Sequence, residues 1–360
     1  MKQYRVAVLG ATGMVGQRFI ELLSDHPWFT VAAVAASEHS AGKPYAEATK
    51  ERRFTNISIP AHIQEMVVQD VSRDVKQIAA SVDFAFCALD MPKEEIRKLE
   101  EMYARCECPV ISNNSAHRWT PDVPMIIPEI NFDHSTLIDY QRIRLQTSRG
   151  FIAVKSNCSL QSYVPALHPL RKYSPERVLV CTCQAISGAG KTFATWPEMN
   201  DNCIPFIDGE EEKSEREPMK LWGTAKHGVV IPAAYPQITA QCIRIPCSDG
   251  HMAACFVKFK DDSKPSAEII LNEWKNYKSP IHDYKLPSAP EKFLHYFDEP
   301  DRPKTSQDRM LEHGMGIAIG RLRPDRQYDY KFVSLSHNTI RGAAGGAILL
   351  AELLCRQGYI

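Results

Sequence analysis

Arg5 to Leu9 is a short, almost wholly apolar run that stops at Gly10, and Gln17 to Leu23 then repeats its apolar residues at helical spacing. Thr30 to Ala36 and Val82 to Leu89 repeat the apolar run, Glu94 to Ala104 carries charge at helical spacing, and Pro109 to Ser112 reads as another short strand. Strands alternating with helices predict a parallel sheet of βαβ units over roughly the first 150 residues. Phe151 to Val154 is one more buried strand, and Leu160 to Leu170 after it is apolar enough for a helix. From about Cys158 to His337 the spacing changes. Arg177 to Ala185, His251 to Lys260 and Met315 to Leu322 read as strands, separated by irregular loops. Asp201 to Glu217 and Pro287 to Asp308 are rich in charge and proline. This predicts an antiparallel or mixed sheet in a second, α+β unit. Thr339 to Gly358 is small and apolar, a helix with a close-packing face that returns to the first unit. The expected organisation is α/β, with residues 1–157 and 338–360 in the first domain and 158–337 in the second.

At 360 residues two domains are the natural division. A hydrophobic fraction of 44% and a charged fraction of 24% are those of a soluble globular protein. The net charge is zero, so nothing draws the chain toward nucleic acid or an anionic membrane, and an anionic substrate must be caught by a local cluster of cations. No apolar run is long enough to span a bilayer, and Met1-Lys2-Gln3-Tyr4-Arg5 leads straight into a strand with no export signal. An odd count of 11 cysteines in such a chain points to reduced thiols and a cytoplasmic setting. Cys106-x-Cys108 and Cys181-x-Cys183 are too closely spaced for zinc and lack partners, so burial as small apolar side chains is expected and no metal site is.

Three segments carry candidate chemistry. Gly10-Ala11-Thr12-Gly13-Met14-Val15-Gly16 lies between a strand and a helix, where glycines let a backbone approach a pyrophosphate at the helix N-terminus. Ser37-Glu38-His39-Ser40-Ala41-Gly42-Lys43 ends the second strand: Glu38 favours NAD, whereas Ser37, Ser40 and Lys43 can cradle the extra phosphate of NADP. Cys158, in Lys155-Ser156-Asn157-Cys158-Ser159, is placed at a strand-to-helix turn, where helix amides are expected to lower its pKa and raise its nucleophilicity. Arg244 and His251 lie within one short segment and supply a carboxylate anchor and a proton partner. Ser187-Gly188-Ala189-Gly190 is a second small-residue loop, able to admit a nicotinamide ring or to be a plain turn. Glu210 to Lys213 reads as an exposed helix face.

Taken in order, the Gly10–Gly16 loop, Ser156-Asn-Cys-Ser159, Gln184-Ala-Ile-Ser-Gly-Ala-Gly190, Ile204 to Lys213, Arg244 to His251 and Asn338-Thr-Ile-Arg-Gly-Ala-Ala-Gly-Gly346 resemble aspartate-semialdehyde dehydrogenases of the archaeal and fungal-like branch. The resemblance covers nearly the whole chain. It implies a Rossmann domain, an α+β domain for catalysis and dimerisation, a C-terminal helix completing the first domain, and a homodimer or homotetramer. It further implies NADPH-dependent reduction of aspartyl phosphate to the semialdehyde through a cysteine thioester, with small-molecule substrate and phosphate as the partners. Cys158 would be the nucleophile and His251 the acid/base. Arg244 would hold the substrate carboxylate and Glu210 its amine, while Arg118, Lys213 and Asn113 would bind phosphate. Ser187, Gly188 and Asn338 would line the nicotinamide, and Gln161 would orient the substrate. The chain departs from the family with Leu160 where Thr is common, with a Gln161 register unlike the bacterial one, and with His39 where the branch often has Arg, which leaves NAD use open beside NADP. A malonyl- or succinyl-CoA reductase of the same fold, or a non-catalytic NAD(P)-binding sensor, are the competing readings.

Overall fold

The structure, a computed structural model, describes residues 3–51, 53–54 and 59–360. Strands β1 (Tyr4–Leu9), β2 (Phe29–Ala36), β3 (Gln69–Asp70), β4 (Phe84–Cys87), β5 (Val110–Ser112) and β6 (Ile152–Val154) form one sheet. Its order is β3-β2-β1-β4-β5-β6 and every pairing is parallel. Parallel neighbours need crossovers, which helices Met14–Leu23, Val75–Ser81 and Lys93–Arg105 supply. The strand order reverses between β1 and β4, which opens a crevice at their carboxyl ends, and the Gly10–Gly16 loop leaves β1 there. Gly10 has φ +86°, and a Cβ on it would lie 2.3 Å from the Ala88 carbonyl oxygen. A Cβ on Gly16 would lie 2.0 Å from the Gly10 oxygen, so the loop packs on itself at Gly16 and against Ala88 at Gly10 only because both residues lack one.

The second sheet holds β7 (Pro175–Gln184), β10 (Gln237–Arg244), β11 (His251–Phe259), β12 (Leu294–Phe297), β13 (Ile317–Pro324) and β14 (Tyr330–Ser336), while β8 (Thr224–Lys226) and β9 (Val229–Ile231) make a separate ribbon. The order β10-β7-β11-β14-β13-β12 is mixed: β10/β7 and β12/β13 are parallel and the rest antiparallel. One face, with Val178, Val180, Cys255 and Phe332, is core under the buried Trp274. On the opposite face Leu179, Cys181, Cys183, Met252, Phe256 and Val333 stay half-buried.

Four expectations change. Leu160–Leu170 is no single helix: a 3-10 turn at Ser159–Ser162, a helix at Val164–Leu167 and a second 3-10 turn at His168–Tyr173 succeed one another, since Pro165 and Pro169 bring no N–H to a continuous helix. The segment Asp201 to Glu217 is not all loop, because helix Glu210–Leu221 begins within it. Glu210 is buried rather than on an exposed face. Among the four cysteines expected inside, Cys108 is buried, while Cys106, Cys181 and Cys183 are half-exposed.

The chain ends as expected of its small apolar tail. A wide turn at Ile340–Ala344 leads into helix Gly345–Arg356, buried from Gly345 to Leu354. This helix packs with Val6, Val8, Phe19, Phe84 and Phe86, the core of the first sheet. Among the described residues no helix is long and apolar enough to cross a membrane.

Candidate active site

Cys158 follows β6 and caps the 3-10 turn Ser159–Ser162. Its Sγ lies 3.5 Å from His251 Nε2, on the first residue of β11. His251 Nδ1 accepts the Ala185 backbone N–H at 3.1 Å. A ring nitrogen that accepts carries no proton, so the neutral imidazole holds its proton on Nε2, pointing at sulfur. Burial and the nearby Arg244 cation push the imidazole down to about 3. The Cys158 thiol is raised by burial and then by Glu210, against Lys155, Arg118 and Arg244, which pull it down. The expected lowering by helix amides is therefore overturned: the helix is a four-residue 3-10 turn, and desolvation outweighs what its end can offer.

Around the sulfur stand side chains from four elements. Arg244, the last residue of β10, is buried and donates from NH1 to the Ala185 oxygen at 2.7 Å. Glu210 opens helix Glu210–Leu221; its carboxylate accepts Asn157 Nδ2 at 3.0 Å, Lys213 Nζ at 3.2 Å and Gln184 Nε2 at 3.2 Å. Burial pushes the Glu210 carboxyl up, but Lys213, Asn157 and His251 together outweigh it and the net shift is downward. Arg118 donates from Nε to the Lys155 oxygen, from NH1 to Glu217 and from NH2 to the Asn113 oxygen, at 3.0, 2.9 and 3.2 Å. Lys213 keeps its side chain 28% exposed, free to meet a second anion.

Ser187 Oγ accepts from Asn338 Nδ2 at 2.8 Å, and Asn338 Oδ1 accepts the Gly250 N–H at 2.8 Å. A Cβ on Gly188 would lie 2.8 Å from Arg244 NH1 and 3.0 Å from His251 Nε2, so only a glycine fits over this pair. Both polar atoms of the Asn113 side chain are buried without a hydrogen-bond partner. A cleft of about 100 Å³ runs from Met14 and Arg18 to Ser187, Lys191, Asp249 and Thr339. Thr12, Gly13, Met14 and Val15 remain at least partly exposed along its loop, and Ser37 and Ser40 border the turn that ends β2. Gln161 is buried, with Nε2 donating to Ser156 Oγ and Oε1 accepting from Arg341 Nε, both at 3.0 Å. Arg341 in turn forms a buried bidentate pair with Glu129, both bonds at 2.6 Å.

The structure thus links Cys158, His251, Arg244, Gly188, Glu210 and Lys213 through contacts or charge interactions, ties Asn113 to Arg118 and Ser187 to Asn338, and places Ser187 and Met14 on the cleft. Sequence reasoning missed Lys155, Asn157, Gln184, Glu217 and Arg341 as members of this neighbourhood. Lys155 is buried 3 residues before the cysteine, pushed down to about 7 by burial and by Arg118. Glu217 was findable: it lies seven residues after Glu210, on the same face of any helix running through both.

Two family models match the chain: "Semialdehyde dehydrogenase, NAD binding domain" over residues 5–138 and "Semialdehyde dehydrogenase, dimerisation domain" over residues 167–341. The chain is 39% identical to the aspartate-semialdehyde dehydrogenase of Archaeoglobus fulgidus, over 99% of this chain and 100% of that one. It is 40% identical to the Schizosaccharomyces pombe enzyme of the same name, over 99% of each. Among solved structures it is similar to the Candida albicans aspartate semialdehyde dehydrogenase with NADP, with TM-score 0.88 and 35% identity over 100% of each chain.

Proposed function

The chain belongs to the aspartate-semialdehyde dehydrogenases, and from that premise we propose which of its residues carry the reaction and how. The reaction is NADPH-dependent reduction of L-aspartyl-4-phosphate to L-aspartate 4-semialdehyde and phosphate, a step of amino-acid biosynthesis. The observation that carries the residue assignment is the 3.5 Å contact of Cys158 Sγ with His251 Nε2, flanked by an arginine and a carboxylate suited to an amino acid.

Arg244 binds the α-carboxylate and Glu210 the α-amine, which fixes the acyl carbon over sulfur. Arg118, Lys213 and Asn113 hold the phosphoryl group, and the two cations offset its charge as it leaves. Cys158, as a thiolate accepting the Nε2–H of His251, attacks the acyl carbon. The bond to the phosphate oxygen breaks with its electron pair, leaving a thioester. NADPH, when bound, supplies the hydride that reduces the thioester carbonyl carbon. The resulting thiohemiacetal alkoxide collapses, the C–S electron pair returns to sulfur, and His251 Nε2–H stabilises the departing thiolate. Gln161, held between Ser156 and Arg341, steadies the loop that presents the nucleophile to the substrate.

The chain's residues fit the cofactor. Gly10, Thr12, Gly13, Met14 and Val15 would hold the pyrophosphate, Ser37 and Ser40 the 2′-phosphate, and Ser187, Gly188 and Asn338 the nicotinamide, with Arg18 and Lys191 lining the same cleft. The same proposal assigns residues 1–157 and 338–360 to the cofactor domain and 158–337 to catalysis and association. The half-buried apolar face with Leu179, Met252, Phe256 and Val333 supports a homodimer or homotetramer, and it lies within the segment matched to the dimerisation family. Among the described residues no two cysteines are joined in a disulfide, which suits a reducing compartment and supports a cytoplasmic location.

A coupled assay tests this reading. Multiple-turnover formation of NADPH from aspartate semialdehyde and NADP should require inorganic phosphate. Formation with CoA from malonate semialdehyde, and none with phosphate, would replace it with a CoA reductase.

A further inference from the structure

Helix Glu210–Leu221 turns Glu210, Ser214, Glu217 and Leu221 inward, spaced so that they share one face. The first meets the substrate pocket. Glu217 lies deeper, 1% exposed, and its two oxygens go to different parts of the site. Oε1 accepts NH1 of Arg118 at 2.9 Å. Oε2 accepts the backbone N–H of Asn157, the residue before the nucleophile, at 2.8 Å. One turn on, Lys220 Nζ donates to the Arg118 oxygen at 2.6 Å and to the Val123 oxygen at 3.1 Å, so both the backbone and the guanidinium of Arg118 hang on this helix. The Arg118 Nε donates to the Lys155 oxygen, at the start of the nucleophile loop, which closes the ring of contacts.

A buried carboxylate bonded this way is a short, charge-assisted bridge. We propose that Glu217 is a positioning residue that ties Arg118 to the Ser156–Asn157 peptide just before the nucleophile, so that the phosphate-binding cation and the attacking sulfur move as one unit. The proposal rests on the reading of Arg118 as a phosphate ligand. Replacing Glu217 by Gln puts an NH₂ against one of the two N–H donors, so one end of the bridge opens, whereas Asp keeps the charge on a shorter arm.

The test varies inorganic phosphate in the NADP-reducing direction with the full-length protein. Glu217→Gln should raise the KM for phosphate about tenfold while the KM for NADP stays within about twofold, and Glu217→Asp should recover part of the loss. Protection of Cys158 from iodoacetamide by inorganic phosphate should weaken by the same factor, giving a readout without turnover. An unchanged phosphate KM in folded Glu217→Gln, or an equal rise in every KM, overturns the proposal. So does failure of both variants to fold, which would make Glu217 a folding determinant only. Failure of the underlying reading looks different: Arg118→Met would then leave the phosphate KM at its wild-type value.

Discussion

His251 is fully buried and receives a backbone N–H on Nδ1, and both facts oppose its protonation. Its folded pKa, near 3, lies below the ordinary histidine value, so the ring is neutral throughout pH 5–9 and no ionisation of it shapes activity there. Cys158 is shifted the other way, so thiolate is gained as pH rises past the ordinary thiol range. The expected profile of kcat/KM therefore climbs on one limb that extends past the ordinary thiol range. A lower limb near pH 6.5 would contradict this arrangement. His251→Ala should lower kcat by roughly 10²-fold, because the departing sulfur loses its hydrogen-bond donor. Cys158, His251 and Arg244 were singled out in the sequence because their residue types suit the proposed task and their segments stand in the order of a known family. The direction of the thiol's shift was not legible, because local turn geometry carries no information on how deeply the sulfur is buried or on the charges of Glu210 and Arg244 near it.

At the scale of elements, the parallel strands and the glycine loop were read from apolar runs broken by glycine. The helix at Glu210–Leu221 was read at its start but its burial was hidden by composition: three successive glutamates look solvated until Lys213, Asn157 and Gln184 are seen to satisfy Glu210 inside. The segment after Cys158 was overread for the opposite reason, since its apolar character reflects complete burial and its prolines decide the geometry. The wide turn at Ile340–Ala344 brings Gly342 against the nucleophile, where a Cβ would lie 2.9 Å from Cys158 Cβ. Gly342→Ala should therefore displace the sulfur and lower kcat at least about tenfold, with cofactor affinity nearly unchanged. Equal kcat in the two proteins would show that the last segment does not set the position of the sulfur.

Across the whole molecule, a chain of contacts binds the two sheets together. Arg341, leaving the second sheet for the final helix, pairs with Glu129, bonds Gln161 beside the nucleophile and stacks 4.7 Å over the Phe293 ring. Glu352 on the final helix is buried and accepts from His26 Nε2 and from Ser288 Oγ. The return of the tail was legible from its small apolar residues; the ion pairs that lock it were not, because their partners lie more than two hundred residues away. In the proposed homo-oligomer a second copy covers the apolar outer face of the second sheet. Phe256→Asp places a charge in its centre and should convert the assembly to monomers in light scattering, whereas an unchanged mass would move the association surface elsewhere.

The thioester on Cys158 is the claim on which everything else depends. Peptide mass mapping after mixing the protein with aspartate semialdehyde and NADP, without phosphate, should find an acyl adduct on the peptide carrying Cys158, lost when phosphate is added. An unmodified Cys158 alongside NADPH formation, or an adduct on another cysteine, would contradict it.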